Sequence, residues 1–288
     1  MSFTLPFTKM QGAGNDVIVL NAMHGLPALR SEHFRALGDR RYGIGCDQIL
    51  IVAPPQNPAN DFSYRIANND GSEVEHCGNG ARCFMRYVRE MGLTQKRQVR
   101  VEIATGVIIL IEHESGEIEV NMGPPRFDAV SLPFIPIGLT HTEMPNGHQV
   151  FELNVDNTRL QIGIVSVGNP HAVQLVTDID AAPVTTQGPA IELHPAFPNR
   201  VNVPYVQVLD RNTIKLRVWE RGAGETLACG TGTCAAVVSA ISRGVVDSPV
   251  RVLARGGELH IVWAGAGSDV MMRGPAVTVF TGSITLND

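Results

Sequence analysis

The chain has 288 residues, 44% of them hydrophobic and 18% charged, with a mean hydropathy of +0.04. This balance argues against disorder and leaves room for one large core or two modest ones. With 23 basic and 28 acidic residues the net charge is −5, so nothing draws the protein toward phosphate backbones or anionic membranes, and neither nucleic acid nor membrane is expected as a partner.

Taken from the N-terminus, residues 1–9 carry neither the basic start nor the apolar core of a signal peptide, which makes the cytoplasm the expected location. Five cysteines, an odd number, fit reduced thiols better than a disulfide framework. The β-branched segments Gln48–Val52 and Ser63–Ala67 predict strands that lead into a glycine-rich turn, Cys77-Gly78-Asn79-Gly80. A helix is predicted over Ala81–Gly92, closed by a glycine suited to the C′ position. Val107–Ile111, a turn at Glu114–Glu117, and Ile118–Asn121 then read as a hairpin. The stretch holding Pro133, Pro136, Gly138, Pro145, Asn146 and Gly147 reads as loop and turn. Further on, Cys229-Gly230-Thr231-Gly232 precedes a second predicted helix, Thr233–Gly244.

The two cysteine turns belong to an internal repeat. At an offset of 152, Arg65 falls on Arg217, Glu73 on Glu225, Cys77 on Cys229, Gly78 on Gly230 and Gly80 on Gly232. After a one-residue slip, Cys83 falls on Cys234, Val99-Arg100-Val101 on Val250-Arg251-Val252, and Gly123-Pro124 on Gly274-Pro275. The halves run from about residue 1 to 127 and from about 158 to 276. Short strands outnumber helices in each, which predicts an α+β fold with mostly antiparallel sheet.

A cysteine at a helix N-terminus sits where exposed amides favour negative charge, which lowers a thiol pKa and makes a place for a carboxylate. If the halves face each other, one thiolate can take a proton from one face of a carbon while the other thiol donates to the opposite face, inverting a stereocentre without a cofactor. Three plainer readings stand beside this one. The turns can be purely structural. They can hold zinc, although Cys77-x5-Cys83 and Cys229-x4-Cys234 miss the usual ligand spacing, so no metal is expected. They can cradle a phosphate, although no Gly-Lys-Ser/Thr opens a helix. Cys83 and Cys234 read as packed core thiols and Cys46 as structural. A thiol-based binding or redox protein, with Cys77 and Cys229 joined under oxidation, remains a rival of another class.

Asn68-x-Asp70-Gly71-Ser72-Glu73 leading into Cys77-Gly78-Asn79-Gly80-Ala81-Arg82-Cys83, together with Glu220-Arg221-Gly222-Ala223-Gly224-Glu225-Thr226 leading into Ala228-Cys229-Gly230-Thr231-Gly232, resembles the diaminopimelate epimerases. Gly12-Ala13-Gly14-Asn15-Asp16, Gly43-Ile44-Gly45-Cys46-Asp47-Gln48, Gly168-Asn169-Pro170-His171 and Phe197-Pro198-Asn199-Arg200-Val201-Asn202 extend the resemblance, in family order, over nearly the whole chain. Proline and hydroxyproline racemases share opposed thiols but differ in the residues around them.

The resemblance implies a diaminopimelate epimerase-like fold of two pseudo-symmetric domains, each a mostly antiparallel β-barrel or roll around a central helix. They would be residues 1–127, joined by a C-terminal strand at 277–288, and residues 128–276. It implies a cofactor-independent homodimer that interconverts LL- and meso-diaminopimelate in lysine and peptidoglycan-precursor synthesis. Cys77 and Cys229 would be the acid/base pair. Gly78, Asn79, Gly230 and Thr231 would receive the carboxylate at the reacting centre, with Asn15 and Gln48 beside it. Asn68, Asn169, Asn202, Glu220 and Arg221 would hold the distal centre, and His171 and Glu220 would tune the cysteine pKa values. Met271 stands where some members carry a tyrosine tied to dimer contact. Under the repeat, Asn68 falls on Glu220 and Asn69 on Arg221. The copies thus agree at the thiols and differ where a substrate's far charges must be recognised from one side.

Overall fold

The computed structural model describes residues 2–74 and 77–287. In chain order the elements are β1 (Ser2–Gly12), β2 (Asn15–Asn21), α1 (Ser31–Gly38), β3 (Gln48–Ala53), β4 (Phe62–Asn68), β5 (Glu73–Val74), α2 (Gly78–Glu90), β6 (Gln98–Ile103), β7 (Gly106–Glu112) and β8 (Ile118–Asn121). They continue with β9 (His141–Glu143), β10 (Gln149–Val155), β11 (Thr158–Ser166), β12 (Pro170–Leu175), α3 (Val184–Glu192), β13 (Val203–Asp210), β14 (Thr213–Glu220), β15 (Gly224–Thr226), α4 (Gly230–Ser242), β16 (Val250–Ala254), β17 (Gly257–Val262), β18 (Met271–Gly274) and β19 (Val277–Asn287). The chain divides into two compact units, one running to Asn121 and including the chain from Arg273 onward, the other Met122–Met272.

In the first unit β1 and β2 form a hairpin closed by Ala13 and Gly14, whose φ values of 52° and 82° suit the right-handed twist of paired strands. Parallel neighbours cannot be joined by a tight turn, so β2 and β3 are connected through α1, and β4 and β6 through α2. β3–β4, β4–β5, β6–β7 and β7–β8 are antiparallel. β19 returns to pair along β1, from Ser2↔Asn287 to Gln11↔Val277. The second unit repeats the plan, with β12–β13 parallel through α3 and β14–β16 parallel through α4.

Helices α2 and α4 have 13 residues each and occupy the middle of their units. α2 packs against β1, β2, β3, β7, β8 and β19, and α4 against β11, β12, β13, β14 and β17. A helix enclosed by strands must be apolar nearly all round, as the buried run Cys234–Val238 of α4 is. In α2 the fully buried Arg82 is accommodated because its Nε donates to Pro275 O at 3.1 Å and its Nη2 to Asn79 Oδ1 at 2.8 Å.

Both central helices begin at the first glycine of the cysteine turn, three residues before the expected starts at Ala81 and Thr233. The cause is that each cysteine is itself the N-cap, and the Gly-x-Gly that reads as a turn forms the first helical turn. Gly92 and Gly244 follow the C-caps Met91 and Arg243 with φ of +66° and +70°, as the C′ reading of these glycines requires. α1 and α3 were not expected. α3 contains Gly188 and Pro189, which read as loop in isolation. The proline-rich segment read as loop and turn also carries β9, which pairs with β10. Among the described residues no helix is long and apolar enough to cross a membrane.

Candidate active site

The two thiols occupy closely similar local geometry. Cys77 and Cys229 have extended backbone at the N-caps of α2 and α4, and each sulfur accepts the backbone N–H three residues on, from Gly80 and from Gly232, at 3.4 Å. Glycine eases the close approach beneath the sulfur, since a Cβ on residue 232 would lie 3.2 Å from both Cβ and Sγ of Cys229. The arrangement places Gly78 and Asn79, and Gly230 and Thr231, in first helical turns, where backbone N–H groups and the positive end of the helix dipole point outward.

Surroundings distinguish the thiols. Cys77 is half-buried and its S–H donates to Asn15 Oδ1 at 3.8 Å. Cys229 is buried, with Thr231 Oγ1 3.6 Å from its sulfur. Burial pushes the Cys229 thiol well above its usual range, and the Glu220 carboxylate pushes in the same direction. The Thr231 hydroxyl and the Gly232 N–H act the opposite way and are outweighed. At this position the expected lowering by the helix terminus is therefore overturned by desolvation and a neighbouring anion. Cys83 and Cys234 are fully buried inside the helices, and burial pushes the Cys83 thiol up to about 12. Cys46 is likewise buried, its thiol pushed up to about 12.

In the first unit the register Val17↔Gln48↔Asn68 sets neighbouring ends of β2, β3 and β4 side by side. Gln48 Oε1 is buried without a hydrogen-bond partner among the described residues. Asn68 Nδ2 donates to Ser72 Oγ at 3.0 Å, which holds the turn between β4 and β5. Asn79 is buried and occupied by Arg82 through its Oδ1.

In the second unit the turn at Gly168 (φ +87°) presents Asn169, whose Oδ1 accepts from His171 Nε2 at 2.8 Å. His171 is fully buried, and burial, followed by the charge of Arg221, pushes it down to about 3, so its imidazole is neutral near pH 7. Asn202 acts on backbone. Its Nδ2 donates to Pro170 O at 3.2 Å and its Oδ1 accepts from Arg221 N at 2.9 Å, tying β12 to the turn after β14. The Arg221 guanidinium donates to Asn199 O at 3.1 Å, and Glu220 accepts from the Thr226 hydroxyl. Asn169, His171, Asn202, Glu220, Arg221, Thr231 and Cys229 thus gather within this unit, as Asn15, Gln48, Asn68, Asn79 and Cys77 do in the other.

The repeat's matched Arg and Glu form a clasp in each unit. Arg217 Nε bonds Glu225 Oε1 at 2.7 Å, bracing β14 on β15 just before Cys229, and Arg65 pairs with Glu73 across β4 and β5 before Cys77. Two further carboxylates were missed by sequence reasoning. Glu192, buried at the end of α3, accepts from Trp219 Nε1 at 2.7 Å and from Gly222 N at 3.0 Å, on either side of Glu220-Arg221. Asp47 accepts from Asn15 Nδ2 at 3.0 Å. Asp47 lies inside a quoted motif, but nothing local in the sequence connects Glu192 to residues 219–222.

A family model described as diaminopimelate epimerase matches residues 7–128 and 163–279. The chain is 56% identical over 283 residues to the diaminopimelate epimerase of Cupriavidus taiwanensis, covering 98% of each chain. It is 55% identical over 284 residues to that of Laribacter hongkongensis, covering 98% and 99%. Among solved structures, a PhzF-family phenazine biosynthesis protein of Bacillus anthracis superposes with a TM-score of 0.69 at 16% identity over 98% of this chain and 99% of that one. A probable proline racemase of Agrobacterium radiobacter gives 0.69 at 15% over 98% and 93%, and these two likenesses speak to the fold alone. By its family-model match and by its identity to these relatives, the chain belongs to the diaminopimelate epimerase family.

Proposed function

We propose that the protein interconverts LL- and meso-2,6-diaminopimelate by a cofactor-independent two-base reaction, in lysine and peptidoglycan-precursor biosynthesis, with Cys77 and Cys229 as the acid/base pair. The observation that carries this reading is the matched pair of N-cap thiols, each with the outward amides of a first helical turn beside it.

Epimerisation removes a proton from one face of the α-carbon and returns one to the other. One sulfur takes the α-proton as thiolate, the C–H electron pair moves into the carboxylate, and the opposing S–H delivers its proton to the opposite face. The charge that builds on the carboxylate is met by the amides of Gly78, Asn79, Gly230 and Thr231, with Asn15 and Gln48 beside it. Cys229 enters the cycle as the proton donor, because burial and Glu220 favour its neutral form. His171, neutral and hydrogen-bonded to Asn169, acts on the thiols by shape and dipole rather than by charge.

Asn68, Asn169, Asn202, Glu220 and Arg221 recognise the distal amino acid centre, and Glu220 and Arg221 decide which end of the substrate reaches the thiols. Arg221→Lys is then expected to weaken substrate binding sharply while both thiols still titrate; unchanged binding refutes the assignment. The enzyme acts in the cytoplasm, where thiols stay reduced, as a homodimer. The pairing surface we favour is the outer face of β19, where Val277, Val279 and Phe280 are exposed. Met271, by contrast, is only half-exposed on β18. Phe280→Glu should shift sedimentation from dimer to monomer.

The decisive experiment is incubation with LL-diaminopimelate in deuterated water, following label at the α-carbon, beside Cys77→Ala and Cys229→Ala. Label should appear in the wild type and fall steeply in both variants. No label, or label undiminished in both, refutes the two-base reading.

A further inference from the structure

Asp47 lies outside the set of residues given a role above, yet it is the acceptor that orients the side chain touching Cys77. A carboxylate can only accept, so the contact of Asp47 Oδ2 with Asn15 at 3.0 Å must take the Nδ2–H of the carboxamide. The other end of the same planar group, Oδ1, is thereby turned to Cys77 Sγ at 3.8 Å, where it can only accept the S–H. Asp47 is itself held on several sides. Its Oδ2 also accepts from Asp16 N at 3.1 Å, its Oδ1 accepts from Arg40 Nη2 at 2.8 Å, and its backbone N–H donates to Asp16 O at 3.0 Å. Arg40 in turn grips both oxygens of Asp16 at 2.8 Å, and Lys9 Nζ reaches Asp16 Oδ2 at 2.6 Å.

The second unit carries a counterpart in the same place. Asn202 N donates to Pro170 O at 3.1 Å just as Asp47 N donates to Asp16 O, each immediately before the strand that pairs in parallel with its neighbour. Asn202 uses its amide to fix the Arg221 backbone, whereas Asp47 uses its carboxylate to fix Asn15. The position is a positioning site in both units, with different cargo.

We propose that Asp47 is a positioning residue for the acid/base cysteine of the first unit, locking the Asn15 carboxamide with its oxygen toward Cys77 so that the site favours the thiol over the thiolate until substrate binds. This rests on the reading of Cys77 as an acid/base residue. Among the described residues, the titratable groups that act electrostatically with Cys77 include Tyr64 of β4 and Cys83 of α2, and those that act with Asp47 include Asp16 of β2, Arg40 after α1 and Cys46.

The test follows the pH dependence of Cys77 alkylation by iodoacetamide in a Cys229→Ala background, with the modified peptide identified by mass spectrometry. Asp47→Ala frees the Asn15 amide to turn its N–H groups to the sulfur, and should move the alkylation midpoint to lower pH by ~1 unit. Asn15→Ala alone should move it in the same direction, and Asp47→Ala added to Asn15→Ala should then change nothing further. An unmoved midpoint in either single variant, or additive shifts in the double variant, overturns the proposal. If Asp47→Ala does not fold, Asp47→Ser, which keeps a small acceptor for Asp16 N–H, takes its place with the same outcomes. Because thiol titration is read without turnover, its failure is distinct from failure of the epimerase reading, which the deuterium experiment decides.

Discussion

Replacing Glu192 with Gln should loosen the Glu220-Arg221 turn without touching any group that meets substrate. The carboxylate is 5% exposed and accepts two N–H groups, from Trp219 at 2.7 Å and from Gly222 at 3.0 Å, with Arg200 Nη1 3.5 Å from Oε1. A glutamine offers one acceptor and presents an NH2 to the other donor, so one charge-assisted bond is lost and one buried N–H is left facing a donor. Hydrogen bonds to charged groups contribute about 1.5–3 kcal/mol each, and a stranded buried donor costs a similar amount. The expected destabilisation is therefore ~2–3 kcal/mol, or a drop in Tm of roughly 4–12 °C for a domain of this size.

The functional effect should fall on binding, since Gly222 N–H anchors the residue next to Arg221 while the thiols stay in place. KM for LL-diaminopimelate should rise about tenfold with kcat changed far less, the pattern of lost ground-state positioning. Urea unfolding and initial rates on the same preparation measure both quantities. A Glu192→Gln variant with wild-type Tm and wild-type KM would refute the reasoning, and an equal fall in kcat and kcat/KM would move Glu192 from positioning distal recognition to supporting the chemistry.

The two clasps should differ in cost although the sequence matches them. Arg217 and Glu225 are 9% and 11% exposed, and Arg217→Met leaves the buried carboxylate with only the more exposed Arg255, so it should cost ~3 kcal/mol. Arg65 and Glu73 are 69% and 55% exposed, and Arg65→Met should cost under about 1 kcal/mol. Acid should destabilise the protein in two steps. His171 titrates near 3 folded against an ordinary 6.5, so the unfolded chain gains the proton first and stability falls as pH drops from 6.5 toward 3. Buried His148, pushed down to about 4, adds to the same slope, so His171→Gln should reduce it without removing it in urea titrations between pH 7 and 5. Arg217, with Arg255, holds the Glu225 carboxyl below its ordinary 4.5, so its contribution is present above pH 4.5 and is lost below it; Arg217→Met should shrink that second loss to the share Arg255 supplies.

The sequence revealed what repeats or alternates. The Cys-Gly-x-Gly turns, the C′ glycines at 92 and 244, and the hairpin of β7 and β8 were all legible, because each is set by neighbours a few residues away. Missing were α1 and α3, which bridge the parallel pairs β2–β3 and β12–β13. α3 forms because it packs on Trp219: a Cβ on Gly188 would lie 2.6 Å from that ring, so the glycine that hides the helix from sequence is the residue that lets it seat. The thiol environment was half legible. Helix termini predict a lowered pKa, but the burial of Cys229 and the approach of Glu220 depend on tertiary packing that no local spacing encodes.

The duplication explains why the unit that carries each thiol could diverge around it. The clasp, the N-cap and the first-turn glycines fix the sulfur's position from within one hairpin and one helix, so they are matched in both copies. The residues around that frame differ. Asp47 occupies the place in its unit that Asn202 occupies in the other, Asn68 corresponds to Glu220, and Asn15 touches Cys77 whereas Thr231 touches Cys229. An inversion needs two thiols of the same reach but opposite instantaneous protonation. A duplicated scaffold supplies the first; before substrate binds, the Asn15 acceptor at Cys77 and the burial and Glu220 carboxylate at Cys229 both favour the protonated sulfur, so the second arises only with substrate in place. Exchanging the outer set, with Glu220→Asn to match Asn68, should therefore lower the Cys229 thiol toward its ordinary value while leaving its N-cap geometry intact; an unshifted Cys229 alkylation profile would show that burial alone, not the carboxylate, sets its protonation.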